Sequence, residues 1–363
     1  MSNIKNIIYF LIIVLFTCCR NDKQQTDNYL VNGNFSDESY QGKYVYLKDK
    51  STDEVLDSCL IENGIFHFEG EVKGTRLCTV FTNDIKTSFI LEKGEINIDL
   101  SLPERPEGTK LNNLLSYMAT QREEIRDDFL STSRAIWQME DVDDEERDSY
   151  FEENYDYFKS RIDSLYRDTF IENSSNSLGV QLMLKWSEYL TPTEFDEIIS
   201  KADSTIINNN LIAKIAEVNK NLNNTSVGKK FVDFDVIEYD GSNSTFGNFV
   251  GNGKYTLVEF WASWCKTCEY ERPILKHLYS KYKDKNIEFL GVVVWEEEYN
   301  FPKICQEITN YEWPQLLDPT DVSIKKYGIL GIPHFILFDP DGIVVARGFR
   351  SHKIEKELMK AIK

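Results

Sequence analysis

Two cysteines stand three positions apart, Cys265 and Cys268, in the stretch VEFWASWCKTCEYERP (258–273). An apolar, strand-like run over 255–262 leads into them, and a helical pattern follows. A thiol at a helix start meets unpaired N–H groups and the positive end of the helix dipole. Negative charge is favoured there, so Cys265 is expected to ionise below the ordinary thiol value of about 8.5. Cys268 lies one turn further on, close enough to close a small disulfide ring. The placement points to thiol–disulfide exchange, with a redox-active disulfide and no separate cofactor. The other use of such a pair is half a zinc site. No second CxxC and no His-x-x-x-His supplies the missing ligands, because the remaining cysteines are scattered, so no metal is expected.

The chain that carries this pair has 363 residues, too many for one ordinary core, and two or three domains are expected. Its net charge of −19 leaves no basic stripe to neutralise phosphates, which argues against a nucleic-acid partner. Residues 1–19 read as a targeting segment. Lys5 gives a weak positive start, and the apolar run over 7–16 is too short for a bilayer, which needs roughly twenty residues. The run ends at Thr17-Cys18-Cys19 with no A-x-A cleavage site. It resembles a bacterial lipoprotein signal, in which the cysteine becomes the lipidated first residue. Thr17 or Cys18 stands where a small residue is usual, so Cys18 and Cys19 are both lipidation candidates. An uncleaved signal anchor is the alternative. Either way the body is exported to an oxidising compartment. A CxxC there must be kept reduced by a dedicated partner, or serve as an oxidant.

Residues 20–28 read as a polar tether, and 29–103 as a β-rich domain. Segments 44–49, 65–72, 77–82, 88–94 and 95–100 alternate or run apolar, with Asn63-Gly64 as a hairpin signal. A small all-β sandwich or barrel is expected. His67 stands alone among strand residues, and Cys59 and Cys78 are either paired or separate buried thiols. The motifs VNGNF, VLDSCLIENGIFHFEG and FILEKGEINIDL resemble a β-rich domain of unknown function that precedes thioredoxin-like domains in envelope lipoproteins of Gram-negative bacteria. Residues 104–224 follow as a helical spacer that opens on a linker, PERPEG (103–108). Apolar residues recur there at three- and four-residue steps, and Thr191-Pro192-Thr193-Glu194 marks a helix start. The acidic run 141–146 lacks the glycine turn of a calcium loop and reads as a solvated helix start or loop.

From 225 to 363 strands and helices alternate. Strands are expected at 231–237, 255–262, 287–295, 315–317, 335–338 and 343–349, and helices at 265–283, 301–310, 322–327 and 353–362. That order gives a mixed sheet covered on both faces. Here Phe260-Trp261-Ala262-Ser263-Trp264-Cys265, the Glu271 and Pro273 that follow Cys268, and Gly331-Ile332-Pro333 resemble a TlpA/ResA-type thioredoxin-like domain. The dipeptide Lys266-Thr267 and His334 after the proline depart from that family's usual residues.

The resemblance implies roles. Cys265 would attack and Cys268 resolve. Glu259, six residues before Cys265, matches the buried carboxylate of thioredoxins and would accept the proton of Cys268, its pKa raised by burial. Its alternative is an ordinary outward-facing strand residue. Pro333 would be cis and pack against the disulfide, with Ile332 offering backbone groups to an extended substrate. Trp264 would shield the pair and Lys266 add positive charge beside it, unless that lysine is only a solvated surface residue. His334 would hydrogen-bond or stand by, titrating near working pH. Glu271 is read as a helix-surface residue, and Cys305 as a buried small residue.

The fold expected is therefore multidomain: an all-β sandwich-like domain, a helical spacer and an α/β thioredoxin-like fold. The function expected is a membrane-anchored envelope oxidoreductase, periplasm-facing, that reduces protein disulfides. Its partners would be protein thiol and disulfide substrates, a membrane electron-donor protein, and the membrane itself through a lipid anchor. Two rivals stand beside it. A peroxiredoxin needs P-x-x-x-T-x-x-C, and Cys265 is preceded by WASW instead. A redox-inactive binding or adaptor lipoprotein would lose a cysteine, and both are present.

Overall fold

The computed structural model describes residues 27–83, 85–296, 304, 311–349 and 351–361. The expectations for Cys18, Cys19, Cys305, the targeting segment and most of the helix at 301–310 lie outside the described residues. The chain divides into two compact units, one through Thr120 and one from Gln121.

Among the described residues the first unit holds seven strands: β1 (Asn28–Asn34), β2 (Tyr44–Asp49), β3 (Val55–Leu60), β4 (Ile65–Glu71), β5 (Arg76–Thr82), β6 (Ile85–Leu91) and β7 (Gly94–Asp99). They form two sheets, ordered β4-β1-β7 and β3-β2-β5-β6. Alternation along the strands sends Val31, Phe66, Phe68, Ile96 and Ile98 of one sheet and Val45, Leu47, Val80 and Phe89 of the other into one apolar core. Asn63 and Gly64 both take left-handed φ, 53° and 73°, as a two-residue hairpin turn requires. Cys59 and Cys78 are separate thiols. They lie on β3 and β5, to either side of β2, opposite Val45 and Asp49 respectively. The stretch expected to be a linker is bonded down instead. Glu107 exchanges both backbone bonds with Asn97, and Glu104 N–H donates to Thr87 Oγ1 at 2.8 Å.

Helix α1 (Lys110–Trp137) is followed by α2 (Asp144–Asn173), α3 (Ser177–Trp186), α4 (Pro192–Ile199), α5 (Ser204–Ile207) and α6 (Asn210–Asn224). The starts of α2 to α6 are each fixed by a short polar side chain. Asp143, inside the acidic run, accepts from Glu146 N–H, and Thr191 with Glu194 closes a reciprocal capping box before α4.

The rest of the second unit is a seven-stranded sheet, ordered β14-β13-β10-β11-β12-β8-β9. Its strands are β8 (Asp235–Glu238), β9 (Asn243–Thr245), β10 (Tyr255–Trp261), β11 (Ile287–Val293), β12 (Gln315–Leu317), β13 (His334–Phe338) and β14 (Val344–Arg347). Strand β10 is central, parallel to β11 and antiparallel to β13. It is apolar on both sides because both faces are covered. Leu257 and Trp261 enter the cluster under α7 (Lys266–Tyr282) and α9 (Ser351–Ala361), while Val258 and Phe260 enter the cluster under α8 (Val322–Tyr327). The strand expected at 231–237 begins only at Asp235. Before it, Phe231 N–H donates to Gly342 O and Val232 bonds through both backbone groups to the Tyr327 hydroxyl, so these groups are taken away from the ladder.

Candidate active site

Cys265 ends the turn after β10 and caps α7. Its backbone is extended (φ −79°, ψ 98°), and its sulfur accepts from the Cys268 N–H at 3.1 Å. A sulfur in that place receives an orphan helix N–H and the dipole's positive end, so its thiolate is favoured. Cys265 and Cys268 are joined, with Cα atoms 5.3 Å apart. Cys265 is 8% exposed and Cys268 0%. Of the two, Cys265 is the one that keeps any exposed surface. Lys266 is the first residue of α7, with an exposed side chain. Pro273 sits inside the helix and has no N–H to give the Glu269 carbonyl.

Glu259 lies in the middle of β10, between Leu257 and Trp261 on the same face. Those neighbours belong to the apolar cluster that holds Cys265 and Cys268, so the carboxylate points to the α7 side of the sheet. It is 3% exposed, and neither oxygen has a hydrogen-bond partner. Burial pushes its pKa from 4.5 up to about 8; the Arg272 guanidinium pulls it back and the Glu271 carboxylate adds to the rise. The outward-facing alternative for this residue does not hold.

A cross-strand row explains how the sheet makes room beside the carboxylate. Phe335, Glu259, Gly291 and Gln315 are in register across β13, β10, β11 and β12. A Cβ on Gly291 would lie 1.9 Å from Gln315 Oε1, which accepts from the Trp261 indole N–H at 2.9 Å. Gly291→Ala is therefore expected to push the Gln315 amide off Trp261 and cost about 1–3 kcal/mol of stability. Denaturant unfolding checks it. In a Gln315→Ala background the added methyl should cost much less. Arg272 donates from Nε to the Tyr311 hydroxyl at 2.9 Å and lies over the Trp261 and Tyr311 rings, at 5.7 and 5.0 Å.

The Ile332–Pro333 peptide is cis, Pro333 is buried, and Ile332 is half-buried against both apolar clusters. His334 alternates to the opposite face from Phe335, pairing with Phe260. Its Nε2 faces an N–H of Arg347 at 3.3 Å. A guanidinium only donates, so Nε2 is the acceptor, and a proton added there would break the contact. The structure therefore gathers Cys265, Cys268, Glu259 and Ile332 around one cluster and turns His334 away from it.

Sequence reasoning missed a clasp in front of the cysteines. Trp295 takes a left-handed φ of 54°, a conformation that costs a bulky residue about 1–3 kcal/mol. Its N–H donates to Asp321 Oδ1 at 2.7 Å, and its carbonyl accepts from the Trp264 indole at 2.9 Å. The Glu296 carboxylate accepts from Ser263 N–H. Trp264, expected to cover the disulfide, is more than half exposed and held by this bond. No spacing signals such contacts, because they arise from backbone direction where a strand ends. Among the described residues, no three His, Cys, Asp or Glu side chains converge where a metal could sit.

Residues 227–347 match the AhpC/TSA family, and residues 29–115 match a domain of unknown function (DUF4369). The thiol–disulfide oxidoreductase ResA of Bacillus thuringiensis subsp. konkukian is 30% identical over 138 residues, covering 38% of this chain and 78% of that protein. The ResA of Geobacillus thermodenitrificans is 29% identical over 140 residues, covering 38% of this chain and 79% of that one. The thioredoxin domain of a thiol–disulfide oxidoreductase from Bacteroides vulgatus is 31% identical with a TM-score of 0.34, covering 38% of this chain and 99% of that one. With the cysteine pair capping a helix at the end of the central strand, and with this identity and coverage, the chain belongs through its carboxy-terminal domain to the ResA-like thiol–disulfide oxidoreductases, enzymes of the thioredoxin-like fold.

Proposed function

We propose that this chain is a lipid-anchored enzyme of the cell envelope that reduces disulfide bonds in other proteins through Cys265 and Cys268. The observation that carries the reading is Glu259, a buried carboxyl group without a hydrogen-bond partner on the face that holds the resolving cysteine. A group poised at about 8 suits proton exchange with a thiol of similar acidity.

In the reduced enzyme the Cys265 thiolate attacks one sulfur of the substrate disulfide. The other substrate sulfur leaves as a thiolate and takes up a proton from water, and a mixed disulfide remains. Cys268 gives its proton to the ionised fraction of Glu259, which later releases it to solvent, and attacks Cys265 Sγ. The second substrate sulfur leaves as a thiolate, protonated in turn. The substrate gains two electrons and two protons, and the enzyme is left as the Cys265–Cys268 disulfide. A membrane-bound dithiol protein is the donor that returns it to the reduced state.

The anchor is assigned to Cys18 or Cys19, with the lipid holding the body on the periplasmic side. The support is the apolar run that stops at these cysteines. Among the described residues no helix is long and apolar enough to cross a membrane. Purified protein should accelerate insulin precipitation by dithiothreitol and should lose two hydrogens on oxidation at Cys265 and Cys268. Neither effect appearing would overturn the enzyme reading. Mass spectrometry of membrane fractions should find a diacylglyceryl group on one of the two amino-terminal cysteines; an unmodified, uncleaved start would end the anchor assignment.

A further inference from the structure

The helix that carries the cysteine pair also carries a cation to which the exchange steps give no part. Arg272 stands four residues after Cys268 on α7, one turn along on the same helical face. It is half-buried and held by three contacts. Its Nε–H donates to the Tyr311 hydroxyl, and its guanidinium lies over the rings of both Trp261 and Tyr311. The two rings are buried, their centroids 5.0 Å apart. Trp261 is tied in turn to Gln315, and Tyr311 packs edge-on against Trp313. A guanidinium stacked on fixed rings keeps its place as well as its charge.

The clamp sets that charge on the Glu259 side of the sheet. Trp261 is two residues further along β10 and on the same face, so a group over its ring shares the α7 side with the carboxyl group. The neighbouring strands bring no charge there: the row beside Glu259 is Gly291 on β11, Gln315 on β12 and Phe335 on β13. Helix α9 contributes Ile354 and Leu358 to the cluster. The hydroxyls of Tyr282 and Tyr311 are titratable members of it, with Cys265 and Cys268. From α7 the Glu271 carboxylate opposes ionisation of Glu259, and Arg272 favours it. Burial alone would keep the carboxyl group protonated through the neutral range, and in that form it cannot take a proton from Cys268.

We propose that Arg272 is a positioning residue for the reduction: clamped on Trp261 and Tyr311, its charge keeps Glu259 able to accept the proton of Cys268. It acts through Glu259 and so sets how far towards acid pH the mixed disulfide is resolved. The inference rests on the reading that Glu259 takes that proton.

The reduced full chain and dithiobis(nitrobenzoate) test it. The Cys265 thiolate displaces one thionitrobenzoate and keeps the other as a mixed disulfide; Cys268 then displaces the second and closes the Cys265–Cys268 bond. Release from a protein with both cysteines of the pair changed to serine is subtracted. Arg272→Met, which leaves a stem on the rings, should move the half-point of the second release up by about one pH unit and slow it about tenfold at pH 7. Arg272→Lys should recover more than half of that shift. In a Glu259→Gln background Arg272→Met should move nothing. An unmoved profile, or the same shift in the Glu259→Gln background, overturns the proposal. A second readout needs no activity. The stability of the oxidised protein, taken as the difference from its Glu259→Gln counterpart, should fall with pH up to about 8 in the wild type and up to about 9 in Arg272→Met. The same end point in both overturns the proposal whatever the kinetics show. A wild type that reduces no insulin ends the enzyme reading, and the stability difference still decides whether Arg272 governs Glu259. If Arg272→Met does not fold, Tyr311→Phe replaces it. That change keeps the ring and removes the acceptor, and it should move both readouts the same way by about half as much; no movement overturns the proposal.

Discussion

Cys265→Ser is expected to lower disulfide reduction by about three orders of magnitude or more, because the remaining thiol of the pair, Cys268, is fully buried. Cys268→Ser is expected to lower turnover to a similar degree, yet to accumulate mixed disulfides. The difference follows from position. Cys265 caps α7 and keeps a little exposed surface, while Cys268 is fully buried. With serine at 268 the first exchange goes through and the second cannot. Non-reducing gels of Cys268→Ser, followed by mass spectrometry of the adducts, provide the measurement. The same adducts in Cys265→Ser, or none in Cys268→Ser, would reverse or remove the assigned order of attack.

Glu259→Gln is expected to change both pH behaviour and rate. The carboxyl group moves from 4.5 in the unfolded chain to about 8 in the folded one, chiefly through burial. Between those values the folded state holds a proton that the unfolded chain has released. Stability is therefore greatest at the acid end, falls as pH rises from 4.5 towards 8, and flattens above it. The loss is on the order of a few kcal/mol. Glutamine carries no such proton, so the variant's stability should be flat across that window, and unfolding curves from pH 5 to 8.5 would show it. On the kinetic side, removal of the proton acceptor should slow resolution of the mixed disulfide by about a hundredfold at neutral pH. A variant with the wild-type pH profile in both measurements would deprive Glu259 of its role.

The cysteine pair was legible because its chemistry is local. A strand run, two thiols and a helix pattern lie within sixteen residues, and the structure places Cys265 at the helix cap they imply. Glu259 was legible through the thioredoxin resemblance, which marks the position six residues before Cys265; the strand itself, apolar on both faces, has no alternation to single it out. The element order from β10 to β14 followed from the same periodicities. The early end of the strand at 231–237 was not readable, since its cause is the Tyr327 hydroxyl, 95 positions away. Nor was the bond between Trp264 and Trp295, which depends on a backbone turn that a tryptophan does not advertise. The choice between a bridge and two free thiols for Cys59 and Cys78 needed the strand order, which sets β2 between them.

The arrangement of β1 has a mechanical consequence. This first strand is the middle member of its sheet, antiparallel to β4 on one side and parallel to β7 on the other. A pull on the chain ahead of Asn28 acts along β1 from its beginning, and the resisting load leaves from the end of β7 at Asp99. For parallel neighbours drawn from opposite ends, the force runs along the strands and across their hydrogen bonds. The bonds are then sheared together instead of being peeled open one after another. A load applied at those two ends would therefore meet the β1–β7 bonds all at once, the geometry in which a ladder resists as a unit.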